Sequence, residues 1–118
     1  MTAHPRILAT TYFDSWKAKD FETLRSILAD DVTFRGALGT ADGADACLEG
    51  LRGMSRILSD IVIQRMVVEG DDVMTWFDLH STVAPPCPTV NWSHVEDGRI
   101  AEIHMTFDPR ELLKGMGR

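Results

Sequence analysis

The second half of the chain is dominated by strand-forming residues at alternating spacing. From Asp60 onward, four β-rich runs follow one another: "DIVIQRMVVE", "VMTWFDLHSTV", "TVNWSHVE" and "RIAEIHMTF". They are separated by the turn-forming segments "GDD", "APPCP" and "DG", and an Asp-Gly pair between such runs is typical of a two-residue hairpin. This half of the chain therefore predicts an antiparallel sheet.

The first half predicts helices instead. Apolar residues recur at helical spacing from His4 to Lys19, and Asp20 is a favourable N-cap for a second, shorter helix. A short strand is predicted over Val32 to Gly36, "ALGTADG" is predicted to be a loop, and a third helix is predicted from about Ala44 to Leu58. Three helices before four strands predict an α+β fold with the helices packed on one face of the sheet.

Composition and charge limit the functions that this chain can have. Its 118 residues, 44% of them hydrophobic, predict one domain over residues 1–118. A net charge of −6 argues against nucleic acid or an anionic membrane as a partner. No secretory signal or membrane span is apparent, and Cys47 and Cys87 lack the spacing of a zinc site, so we expect a cytoplasmic protein with reduced thiols.

Two segments resemble a known superfamily. They are "YFDSWKAKDFETLRSILADDVTF" near the start and "VEDGRIAEIHMTFDPRELL" at the end. In order and spacing they resemble the nuclear transport factor 2-like superfamily, and within it the SnoaL-like group, over nearly the whole chain. The resemblance implies a cone-shaped roll, in which a strongly bent, mostly antiparallel sheet wraps around three N-terminal helices and leaves a pocket. Members include polyketide cyclases, ketosteroid isomerases and limonene-epoxide hydrolases, so the fold implies a pocket but not a reaction.

Alternation along the strands and the helical stripes predict the interior of this cone. In the last strand, Met105 is expected to face inward and His104 outward. The predicted interior is mostly aromatic and methionine side chains: Tyr12, Trp16, Phe34, Met54, Phe77, Leu79, Trp92, Met105 and Phe107. All of these except Tyr12 are candidate ligand contacts, and the predicted ligand is a small hydrophobic molecule with no cofactor.

The resemblance also indicates which catalytic groups are missing. Related cyclases, epoxide hydrolases and isomerases carry working carboxylates at three positions, which match Gly36, Trp92 and Met105 here. The first hypothesis is therefore a binding protein, or an enzyme that acts by shaping an apolar substrate. The alternative is a proton-transfer enzyme, a cyclase, isomerase or epoxide hydrolase, in which Tyr12 works with His94 or Asp14.

A second surface is predicted on the opposite face of the sheet. Alternation assigns it a mixed aromatic and polar set: Trp76, Asp78, His80, Asn91, Ser93, His104 and Thr106. Such a composition suits a partner surface, and members of the superfamily often dimerise through this face, so we expect a homodimer. A metal held by Asp78, His80 and His104 on an open sheet is disfavoured, and a pure interaction module with a filled pocket is the third hypothesis.

Overall fold

The computed structural model describes residues 4–117, which form four helices and one six-stranded sheet. The helices are α1 (Pro5–Ala18), α2 (Phe21–Ser26), α3 (Ala44–Ser55) and α4 (Arg110–Gly115). The strands are β1 (Leu28–Gly36), β2 (Gly39–Asp42), β3 (Leu58–Glu69), β4 (Asp72–Ser81), β5 (Cys87–Glu96) and β6 (Arg99–Thr106). The predicted α+β class and the three N-terminal helices are confirmed.

Local sequence signals fix the first two helices. The Nδ1 of His4 accepts a hydrogen bond from a backbone N–H of the first turn of α1, and Lys19 ends that helix in the left-handed conformation at φ 59°. Asp20 then caps α2, because its Oδ1 accepts the backbone N–H of Thr23 at 3.2 Å. This capped turn directs the chain from α1 into α2 and on to β1.

The strand order is β2-β1-β6-β5-β4-β3. The strands β3 to β6 form the predicted antiparallel meander, whereas β1 pairs with β6 in parallel. The prediction of a loop over "ALGTADG" is wrong over Gly39–Asp42, which pairs with β1 as an edge strand. The prediction also extended α3 past its end at Ser55 and did not anticipate α4.

The helices fill the concave side of the sheet. α1 packs against β3, β4 and β6, and α3 packs against β1, β2 and β3. Phe13 of α1 lies 5.0 Å from Phe77 of β4 between ring centroids, and the indole N–H of Trp16 donates to the Leu51 carbonyl at 3.0 Å. These contacts join α1, α3 and the sheet into one core.

A bulge between β5 and β6 sets which side chains reach this core. Glu96 pairs with Arg99 and Val95 with Ile100 beside the Asp97–Gly98 turn, but His94 pairs with Glu102, so β6 contains one extra residue. From there on the register is offset by one, and a shift of one residue exchanges the two faces of a strand.

The bulge overturns part of the predicted orientation. Trp92 pairs with His104 and lies on the outer face, so its predicted place inside the cone is wrong. Asn91 and Ser93, predicted to face outward, are instead buried at 0% and 1% exposure. The predicted inward position of Met105 and outward position of His104 are confirmed.

None of the helices within residues 4–117 has the length and apolar character needed to cross a lipid bilayer.

Candidate functional site

A cavity of about 480 Å³ lies at one end of the concave side. It is enclosed by α3, the β1–β2 hairpin, the end of β6 and the segment that follows α4. Its side-chain lining is mainly apolar: Trp16, Phe34, Leu38, Ala41, Leu51, Met54, Ile57, Met105, Phe107 and Met116. A pocket of this size and character accommodates a small organic molecule.

Five of the predicted ligand contacts meet at this cavity. They are Trp16, Phe34, Met54, Met105 and Phe107. The other three do not line it: Phe77 and Leu79 are fully buried in the core, and Trp92 lies on the opposite face of the sheet. Sequence reasoning therefore identified the apolar interior, but it did not separate cavity lining from solid core.

Two glycines of α3 leave one side of the cavity without side-chain cover. Gly50 and Gly53 both line it and both are exposed, and a Cβ placed at either position would meet no atom within 4 Å. Each glycine lowers helix stability by about 1 kcal/mol relative to alanine, so their presence is unfavourable for α3 itself. The space that they leave opens the cavity to solvent along the helix.

Few ionisable groups line the cavity. Glu49 and Arg56 lie at its α3 side, and Glu49 is paired with Arg52 at 3.4 Å. The Cys47 thiol also lines it, but burial raises the pKa of Cys47 to about 12, so the thiol stays protonated. The lining contains no aspartate and no histidine among residues 4–117.

Tyr12 lies behind this lining rather than in it. It is completely buried beside Trp16, with 6.1 Å between ring centroids, and its hydroxyl has no hydrogen-bond partner among residues 4–117. Burial, and secondarily the nearby Cys47, raises the pKa of Tyr12 well above its usual value. The Tyr12 hydroxyl therefore stays protonated and is unsuited to accept a proton.

Sequence reasoning missed a row of cross-strand neighbours on the inner face of the sheet that contains two buried polar side chains. Thr75, Asn91, Met105 and Gly36 are cross-strand neighbours on β4, β5, β6 and β1. The Asn91 amide donates to the Ser93 hydroxyl at 3.1 Å, but the Asn91 Oδ1 and the Thr75 hydroxyl have no hydrogen-bond partner in the described part of the chain. Because Met105 and Gly36 line the cavity, this row leads from the cavity to buried, unpaired polar groups.

His94 belongs to the outer face. Its Nδ1 lies 2.8 Å from Asp72 Oδ1, and the same carboxylate oxygen accepts the indole N–H of Trp92 at 3.0 Å. The hydrogen bond to Asp72 raises the pKa of His94. The sheet thus separates His94 from Tyr12, and Asp14 is exposed on α1, so neither predicted proton-transfer pair is assembled.

The rest of the outer face carries exposed apolar side chains. Val67, Met74, Trp76 and Val90 are all between 39% and 61% exposed on β3, β4 and β5. Trp92 packs beside them, with its ring 5.1 Å from that of His104. We call these five side chains, Val67, Met74, Trp76, Val90 and Trp92, the outer apolar patch. Within residues 4–117, no three His, Cys, Asp or Glu side chains are grouped to hold a metal ion.

Comparison with known proteins settles the family. The sequence profile of the SnoaL-like domain matches residues 9–103. The chain belongs to the SnoaL-like family. The predicted resemblance is thereby confirmed, whereas no curated protein that was compared matches the chain.

Several solved structures share the fold. A nuclear transport factor 2-like protein of unknown function from Cytophaga hutchinsonii is 23% identical with a TM-score of 0.84, and the match covers 96% of this chain and 97% of that one. IdmH from Streptomyces antibioticus, a proposed polyketide cyclase, is 22% identical with a TM-score of 0.79 over 98% and 100% of the two chains. An LEH-like epoxide hydrolase from M. tuberculosis is 22% identical with a TM-score of 0.78 over 97% and 90%. At these identities the likeness shows the fold alone.

Proposed function

We propose that this SnoaL-like protein binds a small hydrophobic molecule in the cavity between α3, the β1–β2 hairpin and β6. The observation that carries the proposal is the cavity of about 480 Å³ with a mainly aromatic, aliphatic and methionine lining. Methionine side chains adapt to irregular shapes. The cavity lining includes three of them, Met54, Met105 and Met116.

The chemistry of the lining favours binding over proton transfer. A general acid or base must lie within hydrogen-bond reach of the reacting atom and have a pKa near the working pH. Cys47 stays protonated, and Glu49 is exposed and paired with Arg52. The family resemblance matches Gly36, Met105 and Trp92 to catalytic carboxylates of relatives, and Trp92 lies on the outer face of the sheet. Catalysis, where it occurs, would rest on shaping the substrate.

The binding proposal is tested by closing the open wall of α3. The neutral fluorophore N-phenyl-1-naphthylamine should bind saturably to the parent protein. Gly53→Leu should weaken that binding by at least about tenfold, or about 1.4 kcal/mol, because Gly53 lines the cavity and a leucine there adds bulk at its opening. The variant should be no less stable, since leucine favours a helix over glycine by nearly 1 kcal/mol.

Ala46→Leu is the matched control, because Ala46 is exposed on the same helix and does not line the cavity. It should leave the affinity unchanged. A parent protein that shows no saturable fluorescence change, or two leucine variants with equal affinities, would contradict the proposal.

The proton-transfer alternative has its own assay. Steroid isomerisation and epoxide hydrolysis by the parent protein should be near background, because a matched acid and base contribute about 10²- to 10⁴-fold each. Robust turnover that disappears in Tyr12→Phe or His94→Ala would overturn the binding proposal in favour of an enzyme.

We also propose that two copies associate through the outer apolar patch. The patch is bordered by charges of both signs, Arg65 and Asp78 among them, and such a surface can pair with a second copy of itself.

Both cysteines are free, which suits a reducing, cytoplasmic location.

A further inference from the structure

Arg56 is placed where it can recognise one end of a bound molecule. It is the residue that ends α3, it is exposed, and it lines the cavity. We propose that the ligand is an anionic amphiphile, whose carboxylate pairs with Arg56 while its apolar body fills the cavity. This inference rests on the proposed binding function and specifies the class of ligand.

The other charged groups beside the cavity are already engaged. Glu49, the only other charged lining residue within residues 4–117, is paired with Arg52. Arg52 is held further by the ring of Phe21, with 4.3 Å from the guanidinium carbon to the ring centroid. Arg56, by contrast, has no carboxylate within ion-pair distance in the part of the chain that the structure describes. The cavity therefore carries one unbalanced positive charge.

The shape of α3 leaves this charge open to a ligand. Gly53 precedes Arg56 by three residues, so the two positions are neighbours on one helix face. Gly53 has no side chain, and nothing lies within 4 Å of where its Cβ would be. The apolar tail of a ligand in the cavity can therefore extend past Gly53 toward the Arg56 guanidinium. A guanidinium group also offers the planar pair of donors that fits a carboxylate.

The charge of the whole protein does not account for a preference for anions. The chain has a net charge of −6, so its general field attracts cations. Any preference for an anionic ligand must consequently come from the local charge at Arg56. This makes the sign of the preferred head group a direct readout of the proposal.

The experiment compares three probes with one alkyl tail: decanoate, decanol and decyltrimethylammonium. Each displaces N-phenyl-1-naphthylamine from the parent protein at low salt. Decanoate should bind about fivefold more tightly than decanol, the factor expected for a well-placed but solvent-exposed ion pair, and the cation most weakly. Arg56→Gln should abolish the preference for decanoate, and added salt should reduce it.

Arg99→Gln is the matched control, since Arg99 is an exposed residue of β6 and does not line the cavity. It removes the same charge and should keep the full preference. Equal displacement by decanoate and decanol, tighter binding of the cation, or an unchanged preference in Arg56→Gln would overturn the inference while leaving the binding proposal intact. Failure of all three probes and of the fluorophore to bind would overturn both.

Discussion

On the outer face, Asp72 engages two side chains at once. Its carboxylate accepts the Trp92 indole N–H and contacts the His94 imidazole, and the hydrogen bond to His94 lowers the pKa of Asp72 while raising that of His94. The pair is strongest when His94 is protonated and Asp72 is ionised. Its contribution to stability must therefore depend on pH.

The direction of this dependence follows from the two pKa shifts. Stability from His94 is fully present below its unfolded pKa of about 6.5 and is lost as the pH rises through its raised folded pKa. Asp72→Asn should thus lower the free energy of unfolding more at about pH 5.5 than at about pH 8.5, as measured by urea denaturation. Asp71→Asn, at an exposed neighbouring carboxylate, should show no such difference. Equal losses at both pH values for Asp72→Asn would refute the pairing.

The same strand shows what alternation in a sequence can and cannot predict. Alternation along β5 puts Trp92 and His94 on one shared face whatever the partner strand. An unbroken hairpin from the Asp97–Gly98 turn would have paired Trp92 with Ile103 and placed it inside. The extra residue in β6 reverses this, and no residue type near Ala101 marks a bulge.

At the scale of elements, α4 positions the C-terminal segment that borders the cavity. Leu112 is buried at 1% exposure, and Met116 beyond the helix lines the cavity. A Cβ at Gly115 would meet the backbone carbonyl of Val83, which follows β4, far inside van der Waals contact. The absence of a side chain at Gly115 thus allows α4 to lie directly against the loop between β4 and β5.

Gly115→Ala should accordingly push α4 away from that loop. We expect a loss of about 1–3 kcal/mol in the free energy of unfolding, the usual range for overpacking, and weaker binding of N-phenyl-1-naphthylamine because Met116 is displaced. Lys114→Ala, at an exposed position of the same helix, should change neither quantity. Retention of both stability and affinity in Gly115→Ala would show that α4 does not depend on this contact.

The elements that sequence reasoning missed are those whose formation depends on partners. The segment Gly39–Asp42 has small and turn-forming residues, and it becomes a strand because β1 supplies its hydrogen bonds. The helix α4 has six residues, too few to be stable alone even with the Asp108 carboxylate accepting the backbone N–H of Arg110, so it depends on the packing of Leu112 and Gly115. The longer elements, with their own periodicity, were predictable.

At the scale of the whole molecule, the outer apolar patch predicts a homodimer. Trp76→Glu should produce monomers, because it would bury an unpaired charge at a cost of several kcal/mol of association. Light scattering at micromolar concentration measures the mass directly. Ile7→Glu is the control, since Ile7 is 61% exposed on α1, and α1 packs on the opposite, concave side of the sheet. A parent protein with the mass of a single chain under these conditions would rule the dimer out.

The parallel pairing of β1 with β6 has a consequence for how the chain acquires its fold. Phe34 of β1 pairs with Ile103 of β6. Because β6 follows β3, β4 and β5 in the chain, β1 can pair with it only after those strands have been synthesised. Closing so long a loop carries an entropic cost that must be met before the pairing is stable, and contacts distant in sequence slow folding. The antiparallel meander can assemble from neighbouring hairpins. The wall of the cavity formed by β1 and β2 joins the sheet only when β1 pairs with β6. In a nascent chain that stops short of β6, Phe34 would lack its cross-strand partner Ile103, and this wall of the cavity would not yet have formed.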